Sequence, residues 1–410
     1  MRHFIFSLLL IAACYSSIGQ PDNKIVIGKI DSVRSTILNE ERKIWVYVPD
    51  TAHDEGFAKQ AYPVLYLFDA ETQFMSVVGM IQQLSEANNN MILPKMIVVS
   101  IPNTDRTRDL TPTPADAHPP YSYGSAKTSG GGERFISFME KELIPYIDAH
   151  YPTAPYKMLI GHSFGGLTVM QLLIHHTRLF NSYICIDGSM WWDNQRLLKE
   201  AKDVLPKKDL HGISLFLGIA NTMDSGITVR NVMKDTSFLT SHIRSLLTLR
   251  SYLESSKKNG LKYASKYYDQ DSHSSVPLIT EYDGLRFIFN FYPLKILLKD
   301  LGDSTTSLVD KIVSHYANVS KQMGYSVKPP EGLMNSQGYE ALESKHFKKA
   351  QRFFQANIDN HPDSFNAYDS MGDYYGETGD VPHAISNYQR ALSIRDNADT
   401  RKKLEQLQGK

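Results

Sequence analysis

The sequence predicts an α/β fold, a mostly parallel sheet with helices on both faces, followed by a small all-α domain. Continuous apolar runs such as 62–68 and 182–186 are typical of central parallel strands, because both faces of such strands are covered. Segments with helical periodicity alternate with these runs, which favours a parallel sheet covered on both sides. After residue 330 the pattern changes to a helical repeat of 34 residues.

The elements of the α/β part begin with two segments that alternate apolar and polar residues, as edge strands do. The predicted strands are 25–38, 42–48, 62–68, 95–101, a strand ending near 160, 182–186, 213–220 and 261–268. The predicted helices are 133–150, 166–174, 237–257 and one that follows His273. The Pro- and Gly-rich segment 111–132 is predicted to be a long surface loop.

One stretch combines a strand, a tight turn and a helix around a serine. Residues 161–165 fit the pattern Gly-x-Ser-x-Gly, with an apolar run before them and an apolar helix after them. This is the context of a nucleophile elbow, in which the serine has strained backbone geometry and small neighbours leave room for the strand and helix. The pattern predicts that Ser163 is a catalytic nucleophile.

A serine nucleophile needs a base that takes its proton and a carboxylate that orients the base. In hydrolases with a nucleophile elbow, the acid and then the histidine follow the serine along the chain. His273, in the loop after the last predicted strand, is therefore the predicted base. Asp235 ranks first as the acid and Asp224 second, with Asp187 or no acid at all as the third alternative. Each of these aspartates could instead serve a turn or a helix cap.

Other residues near these positions have predicted supporting roles. The oxyanion hole needs two backbone N–H donors, which we assign to Phe164 and to Ala70, in the loop after strand 62–68. Arg106 and Arg108 are candidates for binding an anionic or polyol part of a substrate, because arginine binds carboxylates bidentately. The same two arginines could equally pair with neighbouring aspartates on the surface.

Aromatic and histidine side chains leave further alternatives open. Trp191 and Trp192 could line an acyl or aryl pocket, with at least one of them buried in the core. His162 is predicted to point away from the serine, and His175, His176 and His242 are predicted to be structural residues of helices. No spacing of His, Cys and acidic residues suggests a metal site, and we predict no cofactor.

Charge and the N-terminus bear on partners and location. The 44 basic and 44 acidic residues balance, which argues against nucleic acid or an anionic membrane as the main partner. Residues 1–19 have a basic start, an apolar stretch and small residues at the end, as a secretory signal peptide does, and are too short to span a membrane. We therefore predict export to the periplasm or medium, with lipid anchoring at Cys14 as an alternative and no transmembrane segment. Cys185 is predicted to be a small core residue.

The C-terminal part repeats with a period of 34 residues. Pairs of small and aromatic residues recur at this spacing: Gly338 and Gly372, Ala350 and Ala384, Phe354 and Tyr388. The positions fall on the tetratricopeptide pattern of two helices per repeat. Two repeats rarely bury their own faces, so helices at 307–322 and 400–407 are predicted to cap them. Such repeats could bind a protein or peptide, or mediate self-association.

Several motifs together resemble the esterase family that includes esterase D and the ferric-enterobactin esterases. They lie at 67–70, 106–112, 131–135, 142–147, 161–166, 189–193 and 273–277. The resemblance implies an α/β-hydrolase fold that cleaves esters through an acyl-enzyme, and some members carry a tetratricopeptide tail. It leaves the substrate open among siderophore, feruloyl, acetyl-xylan and thiol esters. Asp187-Gly188-Ser189 stands where many relatives have Ser-Pro-Ser, and the long segment 221–235 is a second departure from the family pattern.

We predict from these observations an exported serine ester hydrolase. Its predicted parts are a signal peptide at 1–19, an α/β-hydrolase domain at 24–300, a linker helix at 301–330 and a tetratricopeptide domain at 331–410. The alternatives are an inactive hydrolase-fold scaffold whose repeats recruit a partner, and a peptidase or acyltransferase on the same fold.

Overall fold

The computed structural model describes residues 24–49, 60–115 and 126–409. The predicted signal peptide, including Cys14, lies outside the described residues, and so does the middle of the predicted loop 111–132.

Within the described ranges, eight strands form one sheet in the spatial order β1-β2-β4-β3-β5-β6-β7-β8. All neighbours from β4 to β8 are parallel, whereas β2 runs antiparallel to both β1 and β4. The strands are β1 Lys29–Ser35, β2 Glu40–Tyr47, β3 Tyr62–Phe68, β4 Ile97–Ile101, β5 Thr153–His162, β6 Ser182–Ile186, β7 Ser214–Ala220 and β8 Lys262–Tyr268. The predicted mostly parallel sheet is confirmed.

Helices cover both faces of this sheet. Those in the α/β part are α1 Ala70–Ser85, α2 Arg106–Leu110, α3 Gly132–Phe138, α4 Ile144–His150, α5 Phe164–His175, α6 Trp192–Val204, α7 Ser241–Ser255 and α8 Val276–Ile288. Strand β3 shows why two layers are needed: Tyr66 and Phe68 point into one apolar cluster, and Leu65 and Leu67 point into another. Both faces of β3 are therefore buried, as its continuous apolar sequence predicts.

The helix predicted over 133–150 is interrupted. A π-helical turn at Met139–Leu143 separates α3 from α4, and the backbone N–H of Ile144 bonds to the carbonyl of Met139. Pro145, at the start of α4, has no N–H to donate and its ring would clash with a carbonyl one turn earlier. A wider turn relieves that clash, which the helical periodicity alone did not reveal.

The C-terminal part is entirely helical. Its helices are α9 Leu298–Gly302, α10 Ser307–Met323, α11 Glu331–Glu343, α12 Phe347–Asn360, α13 Phe365–Glu377, α14 Val381–Ile394 and α15 Ala398–Leu407. A contact repeats at the predicted spacing, because a Cβ on Gly338 would lie 2.5 Å from the Phe354 ring and one on Gly372 would lie 2.5 Å from the Tyr388 ring. Because glycine has no side chain, the two helices of each pair can pack closely at these positions.

The tail shares part of its core with the sheet. Phe353 of α12 belongs to the apolar cluster of α1, α8 and α10, whereas its neighbour Phe354 belongs to a separate cluster within the tail. Among the described residues, no helix is both long and apolar enough to cross a membrane. Cys185 is a buried free thiol, as predicted.

Candidate active site

Ser163 occupies the turn between β5 and α5. Its backbone angles, φ 60° and ψ −115°, are strained for a residue with a side chain. A Cβ at Gly161 would lie 2.4 Å from the carbonyl oxygen of Gly165, and one at Gly166 would lie 2.7 Å from the Cα of Gly188. Only glycine fits these close approaches, so the local sequence holds the serine at the carboxyl edge of the sheet.

His273 lies between Ser163 and a buried aspartate. Its Nε2 is 3.1 Å from the Oγ of Ser163, and its Nδ1 is 2.6 Å from the Oδ2 of Asp187. A carboxylate only accepts hydrogen bonds, so Nδ1 carries the proton and Nε2 can accept the proton of the serine hydroxyl. The loop between β8 and α8 supplies this histidine, as the order of the chain predicts.

Asp187 is the first residue after β6. The backbone N–H of Ala220, at the end of the neighbouring strand β7, donates to its Oδ1 at 2.8 Å. Burial, which is complete, would raise the pKa of this carboxyl group. Hydrogen bonds from His242 and His273 outweigh that effect and hold the pKa of Asp187 well below its usual range. The group is therefore a carboxylate at neutral pH.

The hydrogen bonds favour an acid other than the aspartate that ranked first. The carboxylate of Asp235, ranked first, accepts hydrogen bonds from the N–H of Ser237 at 2.8 Å and from its hydroxyl at 3.0 Å, and so serves a turn before α7. Asp224 is exposed in the loop after β7. Asp187, ranked third, is the aspartate that contacts His273. The sequence does carry a signal for Asp187. This residue directly follows a buried strand and replaces the first serine of the Ser-Pro-Ser that many relatives have.

Two further histidines flank His273. The ring of His162 lies 4.5 Å from that of His273, and burial, then the charge of His273, lowers the pKa of His162 to about 4. His242 donates from Nε2 to the Oδ2 of Asp187 at 2.8 Å, a contact that the sequence analysis missed when it treated His242 as a structural residue. The side-chain atoms of Asp187, His242 and His273 lie within 4.8 Å of one another, because both imidazoles donate to the one carboxylate.

The two predicted oxyanion donors begin helices. Phe164 is the first residue of α5 and Ala70 the first residue of α1, and N–H groups at such positions have no partner within their helix. The helices follow β5 and β3, which are adjacent parallel strands. Both N-termini therefore face the same edge of the sheet as Ser163.

The two predicted substrate-binding arginines are engaged within the protein. Arg106 forms a bidentate pair with Asp69, at 2.6 and 2.9 Å, and donates to the carbonyl of His162 at 3.1 Å. Arg108 pairs with Asp109 and with Glu40, each at 2.7 Å, and these carboxylates raise its pKa further above the usual range. These pairs favour the alternative that the two arginines serve ion pairs within the protein, and substrate binding by them stays a prediction.

The tryptophans have different surroundings. Trp192 is 4% exposed and donates from its indole nitrogen to the carbonyl of Thr113 at 3.0 Å, so it is the tryptophan that is buried in the core, as expected for at least one of the two. Trp191 is half-buried, with its ring 6.4 Å from that of Phe164 and 6.2 Å from that of Phe238. Phe238, which the sequence analysis did not single out, is half-exposed. Phe164, Trp191 and Phe238 form an aromatic surface that starts beside Ser163.

The sheet is mostly parallel, a strained serine lies between β5 and α5, and a histidine contacts both that serine and an aspartate. This arrangement is typical of the α/β-hydrolase class. Comparisons with known proteins agree. The model of the family described as "Putative esterase" matches residues 35–222. The chain is similar to the ferri-bacillibactin esterase BesA of Bacillus subtilis, at 32% identity over 211 residues, which cover 48% of this chain and 72% of that protein. The chain belongs to this esterase family.

Other relatives are more distant or are known as structures. The siderophore triacetylfusarinine C esterase of Aspergillus fumigatus is 25% identical over 162 residues, which cover 38% of this chain and only 53% of that protein. The crystal structure of an IroE-like serine hydrolase from Shewanella oneidensis superimposes with a TM-score of 0.66 at 28% identity. That match covers 81% of this chain and 99% of the other.

Proposed function

We propose that the protein is a serine carboxylic-ester hydrolase that acts through an acyl-enzyme. The observation that carries this proposal is the chain of contacts from Ser163 through His273 to Asp187, at 3.1 and 2.6 Å. These are hydrogen-bond distances for a nucleophile, its base and the group that orients the base.

In the first half of the reaction, the Oγ of Ser163 attacks the ester carbonyl carbon while His273 takes the hydroxyl proton at Nε2. The negative charge moves to the carbonyl oxygen, which accepts hydrogen bonds from the N–H groups of Phe164 and Ala70. When the bond to the alcohol oxygen breaks, the imidazolium of His273 returns the proton to the leaving alkoxide. Asp187 stays ionised and stabilises that imidazolium.

In the second half, water takes the place of the alcohol. His273 removes a proton from the water, and the resulting hydroxide attacks the acyl carbon bound to Ser163. Collapse of the second tetrahedral intermediate releases the carboxylic acid, and the proton on His273 returns to the Oγ of Ser163. The enzyme is then ready for another ester.

For the substrate we propose a small ester of the siderophore type, with feruloyl and acetyl-sugar esters as the other classes to be tested. The relatives named as a siderophore triacetylfusarinine C esterase and as a ferri-bacillibactin esterase support the first class. The aromatic surface of Phe164, Trp191 and Phe238 supports a substrate with an aromatic or apolar acyl group, because rings stack favourably on such a surface.

We also propose export and a tetratricopeptide tail. The composition of residues 1–19 supports a secretory signal peptide, with lipidation at Cys14 as the alternative fate. The recurrence of the contacts of Gly338 and Gly372 after 34 residues supports tetratricopeptide repeats, which could bind a protein or peptide partner or another copy of the chain.

The proposed reaction is tested by the hydrolysis of short-chain p-nitrophenyl esters by the purified mature protein. We expect Ser163→Ala and His273→Ala each to lower kcat by at least about 10⁴-fold, because the members of such a triad act as a unit. Ser274→Ala, an exposed serine beside His273, is the matched control and should keep the wild-type rate. Circular dichroism should show all four proteins folded.

Two results would contradict the proposal. One is a Ser163→Ala variant that hydrolyses the esters as fast as the wild type. The other is a folded wild-type protein that is inert toward all esters tested, which would favour the inactive scaffold.

A further inference from the structure

His242 is a second imidazole on the proposed catalytic aspartate. Its Nε2 lies 2.8 Å from the Oδ2 of Asp187, the same oxygen that His273 contacts at 2.6 Å. The rings of the two histidines are perpendicular, with centroids 5.2 Å apart. One carboxylate oxygen thus accepts two imidazole N–H groups, while the other accepts the N–H of Ala220.

We propose that His242 is a positioning residue of the esterase: it fixes the carboxylate of Asp187 and sets how strongly that carboxylate favours protonated His273. This inference rests on the proposed function. A Ser-His-Asp arrangement needs only one imidazole on the aspartate, so the second requires its own account.

The surroundings of Asp187 explain why a second donor is useful. The residue is fully buried, follows β6 directly and has a left-handed backbone with φ 43°. A buried carboxylate needs hydrogen bonds to offset its lost hydration. His242 supplies one of these hydrogen bonds from α7, a helix that carries neither the nucleophile nor the base. The orientation of Asp187 therefore depends on the packing of α7.

Hydrogen bonds of neighbouring residues fix the start of α7, where His242 lies. Arg244, on the same turn of α7, donates to the carbonyl of Ser237 and, at 2.9 Å, to the hydroxyl of Thr240. Asp235 accepts from Ser237 in the same segment. The long loop between β7 and α7 therefore ends in a hydrogen-bonded turn, residues 235–244, which we call the brace. His242 contacts Asp187 from this brace. The aspartate that ranked first as the acid belongs to this brace.

Removal of His242 should change the protonation of His273 in a definite direction. With one fewer donor, the charge of Asp187 acts more fully on His273 and stabilises its imidazolium. The pKa on the acid side of the kcat/KM profile should therefore rise. The titratable and charged groups around His273 are Asp187 from β6, His162 from β5, His242 from α7, Asp269 and Asp271 from its own loop, and the Asp69–Arg106 pair beyond His162. His162, with a pKa of about 4, stays neutral in the range of the measurement.

The test compares His242→Ala and His242→Gln with the wild type on p-nitrophenyl esters between pH 5 and 9. We expect His242→Ala to lower kcat roughly 10- to 100-fold, since small displacements of catalytic groups have effects of that size. We expect its acidic pKa to rise by about half a unit to one unit. His242→Gln keeps an N–H donor and should recover most of the rate and the original profile. His175→Ala is the matched control, because His175 pairs with Glu200 on the surface.

A His242→Ala protein with the wild-type kcat and pH profile would overturn the inference. If His242→Ala does not fold, His242→Asn replaces it, because asparagine is too short to keep the contact with Asp187. A pH profile of His242→Asn identical to that of His242→Gln would equally overturn the inference. Ser163→Ala separates the two proposals. If Ser163→Ala is inactive while His242→Ala behaves as the wild type, the esterase proposal stands and only the role of His242 fails.

Discussion

The carboxylate of Asp187 reaches His273 from the end of β6, one strand away from where Asp224 and Asp235 follow β7. Both positions are chemically reasonable, because the ends of adjacent parallel strands lie at the same edge of a sheet. The N–H of Asp187 even bonds to the carbonyl of Gly218 in β7 at 2.9 Å. Sequence order alone could not decide between them, whereas the side-chain contacts in the structure favour Asp187.

The choice of acid is tested by three Asp→Asn variants. We expect Asp187→Asn to lower kcat by about 10²- to 10⁴-fold, because the amide no longer holds His273 in the tautomer that accepts the serine proton. Asp224→Asn and Asp235→Asn should stay within a few-fold of the wild type in the same p-nitrophenyl ester assay. A larger loss in Asp235→Asn than in Asp187→Asn would contradict the assignment.

The junction of β5 and α5 was well predicted from sequence. Its glycines are required by close backbone contacts, and such contacts within a short stretch of chain leave a local sequence pattern. The matched pair Gly161→Ala and Gly79→Ala tests this account. A Cβ at Gly161 would meet the backbone of Gly165, whereas one at Gly79, on the exposed side of α1, would have no atom within 4 Å. We expect Gly161→Ala to lower the free energy of unfolding by at least about 2 kcal/mol and to lower activity sharply.

Gly79→Ala should instead raise the free energy of unfolding by about 0.5–1 kcal/mol, as expected for a glycine replaced inside a helix. Urea denaturation of both variants gives the two values. A Gly161→Ala variant as stable and as active as the wild type would show that the close approach between β5 and α5 is not needed.

Helix α8, directly after His273, contains a buried carboxyl group with an unusual environment. Glu281 is 1% exposed, and neither of its carboxylate oxygens has a hydrogen-bond partner among the described residues. Burial raises the pKa of Glu281 from 4.5 to about 8. The folded protein therefore keeps a proton that the unfolded chain loses, and stability falls as the pH rises between these values, by up to about 1.4 kcal/mol per pH unit.

Glu281→Gln should remove this dependence, because glutamine has a similar shape and no charge. We expect the variant and the wild type to have similar free energies of unfolding at pH 5. At pH 8.5 the variant should be more stable by about 2 kcal/mol or more. Urea denaturation at the two pH values measures this, with the exposed Glu254→Gln as the control. An equal difference at both pH values would refute the assignment of the buried proton.

At the scale of the whole molecule, the helical tail and the hydrolase sheet are joined by a shared apolar cluster. Phe353 packs into the cluster of α1 and α8, whereas Phe354 packs within the tail. Adjacent residues of the same type thus test different interfaces. We expect Phe353→Ala to cost about 3–5 kcal/mol and to lower the temperature at which esterase activity is lost. Phe354→Ala should disrupt the tail and change that temperature much less; equal shifts would contradict a shared core.

The architecture was largely predictable from sequence, because strand periodicity, alternation with helices and the 34-residue spacing are repeated signals. The details that the sequence left open or missed depend on contacts between distant residues. Arg106 and Arg108 are bound by carboxylates, Trp192 is buried beneath the aromatic surface, and His242 reaches the active site from a helix. None of these contacts leaves a local pattern in the chain.

The most direct test of the proposed mechanism is mass spectrometry of the intact mature protein after reaction with a fluorophosphonate, which phosphonylates an activated serine. We predict one adduct per molecule of wild type, located on Ser163 by peptide mapping, and none on Ser163→Ala. An adduct that persists on folded Ser163→Ala, or a folded wild-type protein that does not react, would contradict the proposal that Ser163, activated by His273, is the nucleophile.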